Sequence, residues 1–134
     1  KKKIEKFIEE NKLKNEIKIL KNINNPFPYI KKSNIFILTS LYEGLPNVLL
    51  EAQFFKKIII STKCPTGPKE ILLNGKAGIF FKMNDYKDLS KRIIYVYKNR
   101  NKLKNKINIG FNKLFRFNES KNLDMYYQIL LKYL

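Results

Sequence analysis

Apolar residues recur along this chain with two periods, one helical and one extended, and the two alternate. Within Lys2–Asn11, Ile4, Phe7 and Ile8 stand at the i, i+3, i+4 spacing of a single helical face, so the chain opens on a helix. Glu16-Ile-Lys-Ile-Leu20 switches to alternation, which predicts a short strand, and Lys21-Asn-Ile-Asn-Asn-Pro26 is a turn-rich loop. A short helix around Tyr29–Lys32 leads into Asn34-Ile-Phe-Ile-Leu-Thr39, an almost unbroken apolar run that predicts a strand buried on both faces in a parallel sheet. The loop Ser40–Pro46 ends in a helix at about Asn47–Phe55, and Ile58-Ile-Ile-Ser-Thr62 is a second apolar strand. Strand, loop, helix and strand make a βαβ unit.

Beyond the loop Cys64-Pro-Thr-Gly-Pro68, Lys69–Leu73 reads as a short helix and Ala77-Gly-Ile-Phe-Phe81 as a further apolar strand. Asp85 caps an amphipathic helix in which Tyr86, Leu89, Ile93, Val96 and Tyr97 share a face. Two more helical stretches follow: about Asn101–Phe115, with Leu103, Ile107 and Leu114 inward, and about Glu119–Leu134, with Leu123, Tyr126, Tyr127 and Leu130 inward. The order α-β-α-β-α-β-α-β-α-α predicts an α/β fold, a Rossmann-like parallel sheet with helices on both faces. No repeat or linker interrupts it, so residues 1–134 read as a single domain, partial because it begins on a helix as though its leading strand were cut away.

Composition narrows the chemistry. With 134 residues, 44% hydrophobic, the chain can bury one core and is too short for two-domain machinery. The absence of histidine removes Ser-His-Asp and Cys-His catalysis and every His-containing zinc site, and the single Cys64 fits a reducing compartment, the cytoplasm by default. A net charge of +17 raises nucleic acid or an anionic membrane as partners. Arginine, however, occurs only at positions 92, 100 and 116, and lysine lacks the planar fork that base and phosphate recognition favours. The expectation is no nucleic acid, and a charged face that favours peripheral association with acidic lipid. No apolar run reaches the roughly 20 residues needed to span a bilayer, and no signal-peptide core follows the lysine-rich start.

Between Glu16 and Asp85 the only acidic residues are Glu43, Glu51 and Glu70, and all three follow buried strands, at the carboxyl edge where open α/β sheets bind ligands. The helix start at Asn47-Val48 offers unpaired N–H groups and a positive dipole end to a phosphate. Carboxylates on either side of a phosphate site need hydroxyl partners. A nucleotide sugar supplies them, with a ribose diol on one side of the diphosphate and a hexose on the other.

The string Ser40-Leu-Tyr-Glu-Gly-Leu-Pro-Asn-Val-Leu-Leu-Glu-Ala52, with Ile58-Ile-Ile-Ser-Thr62, Cys64-Pro-Thr-Gly-Pro-Lys-Glu70 and Asn74-Gly-Lys-Ala-Gly78, closely resembles the donor-binding domain of group 1, family 4 glycosyltransferases. Asn25-Pro26-Phe27 and the terminal Tyr126-Tyr127 fit the same pattern. The resemblance implies the C-terminal half of a two-domain GT-B enzyme that transfers sugar from a nucleotide diphosphate with retention, with no metal and no cofactor beyond the donor substrate. Glu43 and Glu51 match the family's paired glutamates seven residues apart. By that match Glu43 is the catalytic carboxylate facing the transferred sugar and Glu51 accepts the ribose hydroxyls. Gly44, Leu45 and Pro46 then line the sugar, and the N–H groups of Asn47 and Val48 hold the diphosphate. Thr66, Gly67 and Glu70 correspond to the family's Gly-Gly-x-x-Glu loop, with Glu70 equally readable as a cap on its own helix, and Lys21–Asn25 lies where the family contacts the base.

The family's Arg and Lys that neutralise the leaving diphosphate precede the point at which this chain starts, and so does the acceptor-binding domain. The implied enzyme belongs to bacterial lipid-linked or surface polysaccharide synthesis at the cytoplasmic face of the membrane, with a glycan or lipid-linked acceptor held by the missing domain. Alone, the fragment is expected to be inactive. Two rival classes remain at this level: a catalytically inactive nucleotide-binding or scaffolding module, and a basic nucleic-acid-binding α/β domain.

Overall fold

The structure is a computed structural model and describes residues 2–132. Its centre is a parallel sheet of three strands, β1 (Ile35–Leu38), β2 (Ile58–Thr62) and β3 (Ile79–Phe81), in the order β1-β2-β3. Ile35 pairs with Ile58 and Ile60 with Ile79, so β1 and β2 start level and β3 starts opposite the third residue of β2. Among the described residues seven α-helices surround it: α1 (Lys2–Glu10), α2 (Phe27–Lys32), α3 (Asn47–Phe54), α4 (Gly67–Ile71), α5 (Tyr86–Lys98), α6 (Lys104–Asn112) and α7 (Glu119–Leu130). Short 3₁₀ turns at Leu73–Gly75, Arg100–Leu103 and Leu114–Phe117 join them.

β2 runs through the middle and every one of its residues is buried, because both of its edges are paired and both of its faces are covered. Alternate side chains split the core into two layers. Ile59 joins Ile30, Leu49, Ala52, Ile71 and Leu72 on the face covered by α2, α3 and α4. Ile58 and Ile60 join Ile79, Phe81, Val96 and Leu103 on the face covered by α5 and the segment after it. Helices therefore lie on both faces, as the alternating pattern requires.

Several expectations need correction. Glu16–Leu20 is not a strand: the N–H groups of Glu16 and Ile17 both donate to the carbonyl of Leu13, which curls the start of the run into a turn, and Ile17, Ile19 and Leu20 stay exposed without a ladder partner. The sheet accordingly has three strands among the described residues rather than four. β1 is not buried on both faces: Phe36 and Leu38 pack on one core layer and Ile35 on the other, but Ile37, on the same face as Ile35, is exposed, and among the described residues the strand pairs only with β2. Asn101–Phe115 is one α-helix flanked by two 3₁₀ turns, although Leu103 and Ile107 do point into the core.

The stripe on α5 is narrower than its periodicity suggests. Val96 is buried and Leu89 and Ile93 pack beside it, but Tyr86 and Tyr97 are 76% and 77% exposed. At about 100° per residue both tyrosines fall at the rim of the stripe, outside the sheet's footprint. On α7 the expected inward residues Leu123, Tyr126, Tyr127 and Leu130 are all exposed, since no described element covers that face. Residues 133 and 134, the end of the predicted last helix, lie outside the described residues.

The N-terminus of α5 is tied to the end of β3 by two carboxylates. Asp85 caps the helix by accepting from the Asp88 N–H at 2.9 Å, and Asp88 accepts from the Lys82 N–H at 2.9 Å and from Arg92 Nε at 3.1 Å. The Lys82 backbone donor, with Arg92 assisting, holds the Asp88 carboxyl below its ordinary value. A depressed pKa means that the stabilisation is present at neutral pH and is lost as pH falls through the folded-state value. Asp88→Asn should therefore lower thermal stability at neutral pH, with the difference from the parent vanishing in acid. A carboxyl-carbon NMR titration should find Asp88 below the ordinary value of an aspartate side chain.

Candidate donor-binding site

Two loops leave adjacent parallel strands at their carboxyl ends and are stitched together. The loop after β1 presents Glu43, whose N–H donates to the Pro65 carbonyl at 3.2 Å and whose carbonyl accepts from the Thr66 N–H at 2.9 Å. Thr62 Oγ1, at the end of β2, donates to the Ser40 carbonyl at 2.7 Å. These bonds fix the backbone of Glu43 while leaving its side chain half-buried at the rim. Gly67 sits beneath the joint: a Cβ there would lie 2.0 Å from the Gly44 carbonyl oxygen and 2.7 Å from Pro46 Cδ, so only glycine permits this approach. A Cβ on Gly44 would meet nothing within 4 Å, which leaves the outer side of that backbone open.

The loop delivers the chain into α3, whose first turn carries no acidic residue and no side-chain cap. Asn47 and Val48 open the helix and are both exposed, so the first turn, with its N–H groups free of a side-chain cap and the positive end of the dipole, lies at the surface. One turn further on, Glu51 is half-buried and its Oε2 is buried with no hydrogen-bond partner. An unpaired buried carboxylate oxygen carries a desolvation cost of about 1–3 kcal/mol or more, which a donor hydroxyl in that position would relieve.

Glu51 shares a cavity of about 420 Å³ with Phe27, Leu50, Phe54, Phe55, Leu114 and Phe117. Phe55 packs against Phe27 and Phe54 with ring centroids 5.7 and 5.3 Å away, so the carboxylate stands beside an aromatic wall. Phe117 also borders a second cavity, of about 480 Å³, which brings Leu45 and the exposed Glu70 together with Arg116, Asn122 and Tyr126. Gly44, Leu45, Asn47, Val48 and Thr66 are thus exposed around one rim, with Pro46 and Gly67 buried under it. Glu43 lines neither cavity and stands at the joint between the loops. The loop Lys21–Asn25 borders neither cavity, although Phe27 just beyond it does.

Sequence reasoning missed Arg116 and the aromatic wall. Arg116 Nη2 donates to the carbonyls of Glu70 and Ile71 at 3.2 and 3.4 Å, and its guanidinium lies 5.0 Å from the Phe117 ring centroid. It thereby ends α4 and fixes Glu70 against the 3₁₀ turn Leu114–Phe117. A signal existed: Arg116 is one of few arginines in a lysine-rich chain, where a fork of donors is the exception. Phe54-Phe55 carried none, because adjacent aromatics at a helix end read as core. Among the described residues, no three His, Cys, Asp or Glu side chains cluster as a metal site.

The sequence profile of the glycosyl transferases group 1 family matches residues 1–113. This chain belongs to that family. An uncharacterized glycosyltransferase of Methanocaldococcus jannaschii is 44% identical over 72 residues, 54% of this chain and 18% of that protein. The capsular polysaccharide biosynthesis glycosyltransferase CapM of Staphylococcus aureus is 28% identical over 75 residues, 56% of this chain and 20% of that protein. In structure, HepE of Anabaena, solved in complex with UDP, superposes with a TM-score of 0.84 at 17% identity, over 99% of this chain and 36% of that one. The likeness to HepE assigns the Rossmann-like α/β fold of GT-B glycosyltransferases. The matched segments span about a fifth of the curated relatives' length. No helix among the described residues is long and apolar enough to cross a membrane.

Proposed function

We propose that this group 1 glycosyltransferase chain is the nucleotide-sugar-binding half of a retaining, metal-independent enzyme that builds a lipid-linked or surface glycan at the cytoplasmic face of a membrane. The observation that carries the reading is the buried, unpartnered Oε2 of Glu51 one turn below the uncapped start of α3. A ribose hydroxyl donating to Glu51 would satisfy that oxygen, and the diphosphate attached to the ribose would then meet the Asn47 and Val48 N–H groups. The sugar beyond it would lie along Gly44, Leu45 and Pro46, with Glu43 facing the anomeric carbon and Thr66, Gly67 and Glu70 closing the far side.

In this reading catalysis is electrostatic. Helix-terminal N–H groups receive the charge that builds on the departing diphosphate, while Glu43 orients the sugar and stabilises positive character at the anomeric carbon. The acceptor is held by a separate domain, so the chain alone binds donor without turning it over. The capsular polysaccharide role in the name of the S. aureus relative and the UDP in the HepE complex support the choice of substrate class.

Calorimetric titration of the chain with UDP and GDP in the presence of EDTA tests the site. One of the two should bind without metal, and Glu51→Ala should weaken that binding by about 1–3 kcal/mol, the range for removing one partner of a buried polar contact. Unchanged affinity in the variant would remove Glu51 from the ribose.

A further inference from the structure

The edge of the sheet opposite the donor site, where the parallel strands begin, holds a second concentration of charge. A cleft of about 510 Å³ is lined there by Lys56, Lys57, Arg100 and Lys104, together with Ser33 and Asn34. It opens beside Ile58, the first residue of β2, so the length of that strand, roughly 15 Å at about 3.3 Å per residue, separates it from the donor loops. Three segments distant in sequence supply the lining: the turn between α2 and β1, the turn between α3 and β2, and the stretch from Arg100 to α6.

No carboxylate lines the cleft, and none of its four cations forms an ion pair among the described residues. The sequence explains this, since no acidic residue occurs between Asp88 and Glu119, between Glu51 and Glu70, or between Glu16 and Glu43. Three of the cations are held instead by neutral groups. Arg100 Nη2 donates to Asn34 Oδ1 at 2.8 Å, Lys57 Nζ donates to the Lys31 carbonyl at 2.6 Å, and Lys56 Nζ sits 4.4 Å from the Phe111 ring centroid. The carboxyl ends of α2, α3 and α5 also point to this edge, but each contributes only about half a negative charge, less in total than the four cations. Three cations oriented by neutral partners, with Lys104 beside them, leave a concave positive field that a multivalent anion would complete.

We propose that this cleft is a binding site for a phosphate-bearing anion of the size of a diphosphate or a phospholipid headgroup, distinct from the donor site on the other edge of the sheet. Lys57 and Lys104 reach it from different segments, and Arg100 presents a planar fork suited to two phosphate oxygens. Ser33 and Asn34 add neutral polar groups at the mouth.

The test uses the whole chain and two double variants, Lys57→Gln with Lys104→Gln in the cleft, and Lys18→Gln with Lys87→Gln on other exposed surface, so that both carry the same net charge. Inorganic diphosphate is titrated calorimetrically, and cosedimentation is measured with vesicles of phosphatidylglycerol and of phosphatidylcholine. Thermal unfolding confirms that each variant is folded. The parent and the surface variant should bind alike, and the cleft variant should lose at least tenfold in affinity. Loss confined to phosphatidylglycerol vesicles identifies a headgroup as the source, and loss of soluble diphosphate binding identifies a free anion. Equal losses in both variants would reduce the effect to diffuse charge and overturn the proposal, as would failure of the parent to bind either probe. Because neither lysine touches the donor loops, failure of the ribose assignment at Glu51 would leave this result standing.

Discussion

Glu43→Gln, in a transferase that joins this chain to an acceptor-binding domain, should keep nucleoside diphosphate affinity close to that of the parent and lower kcat by on the order of 10²-fold or more. That loss corresponds to about 2.7 kcal/mol of transition-state stabilisation. The expectation rests on where the residue is held. The Glu43 backbone is locked to Pro65 and Thr66, so glutamine should preserve the loop, and the half-buried side chain stands at the joint beside Gly44 rather than in the cavity that contains Glu51. An interaction made with the reacting sugar acts on the transition state and not on ground-state nucleotide binding. Steady-state kinetics together with calorimetry of the free nucleoside diphosphate would separate the two. Near-normal turnover would make Glu43 a turn residue, and a parallel loss of nucleotide affinity would exchange the roles given to the two glutamates.

Gly67→Ala should be as damaging, and for a steric reason. Its Cβ would meet the Gly44 carbonyl oxygen at 2.0 Å, a backbone atom with no freedom to swing aside, so the loops after β1 and β2 must separate. The expected cost is about 3 kcal/mol, at the upper end of the usual range for overpacking, with loss of nucleoside diphosphate binding. Gly44→Ala is the informative contrast. With nothing within 4 Å of its Cβ, it should leave the unfolding midpoint nearly unchanged while weakening donor binding, by filling the space that the proposed function gives to the sugar. Thermal unfolding and calorimetry on both variants check the pair. If Gly67→Ala melted and bound like the parent, the packed joint would have no part in shaping the site.

What the sequence determined by itself was local order and chemical type. The run Ile58–Thr62 is bounded by lysines and holds no charged residue, and it was legible as a strand to the residue because a strand with neighbours on both edges and both faces excludes charge. Asp85 was legible as a helix cap because a short carboxylate before an amphipathic run has one strong local use. The glutamates were legible as a group because the stretch from Ile17 to Asn84 holds no other acid, and the order of strands and loops assigned them to one edge.

Tertiary structure decided everything that depends on a neighbour from elsewhere in the chain. Alternation at Glu16–Leu20 gives a strand only where another strand can pair with it, and the Leu13 turn takes the first residues instead. A stripe of apolar residues on α7 specifies a helix but not what covers it, and no described element does. The contact between Gly67 and Gly44 and the grip of Arg116 on the end of α4 join residues about 20 to 45 positions apart, beyond the reach of any periodicity, and the burial of the Glu51 oxygen without a partner is likewise a product of packing. The basic cleft has the same origin. Sequence composition gave the charge, but only the folding of three turns onto one edge of the sheet set four cations around a common space without a carboxylate among them.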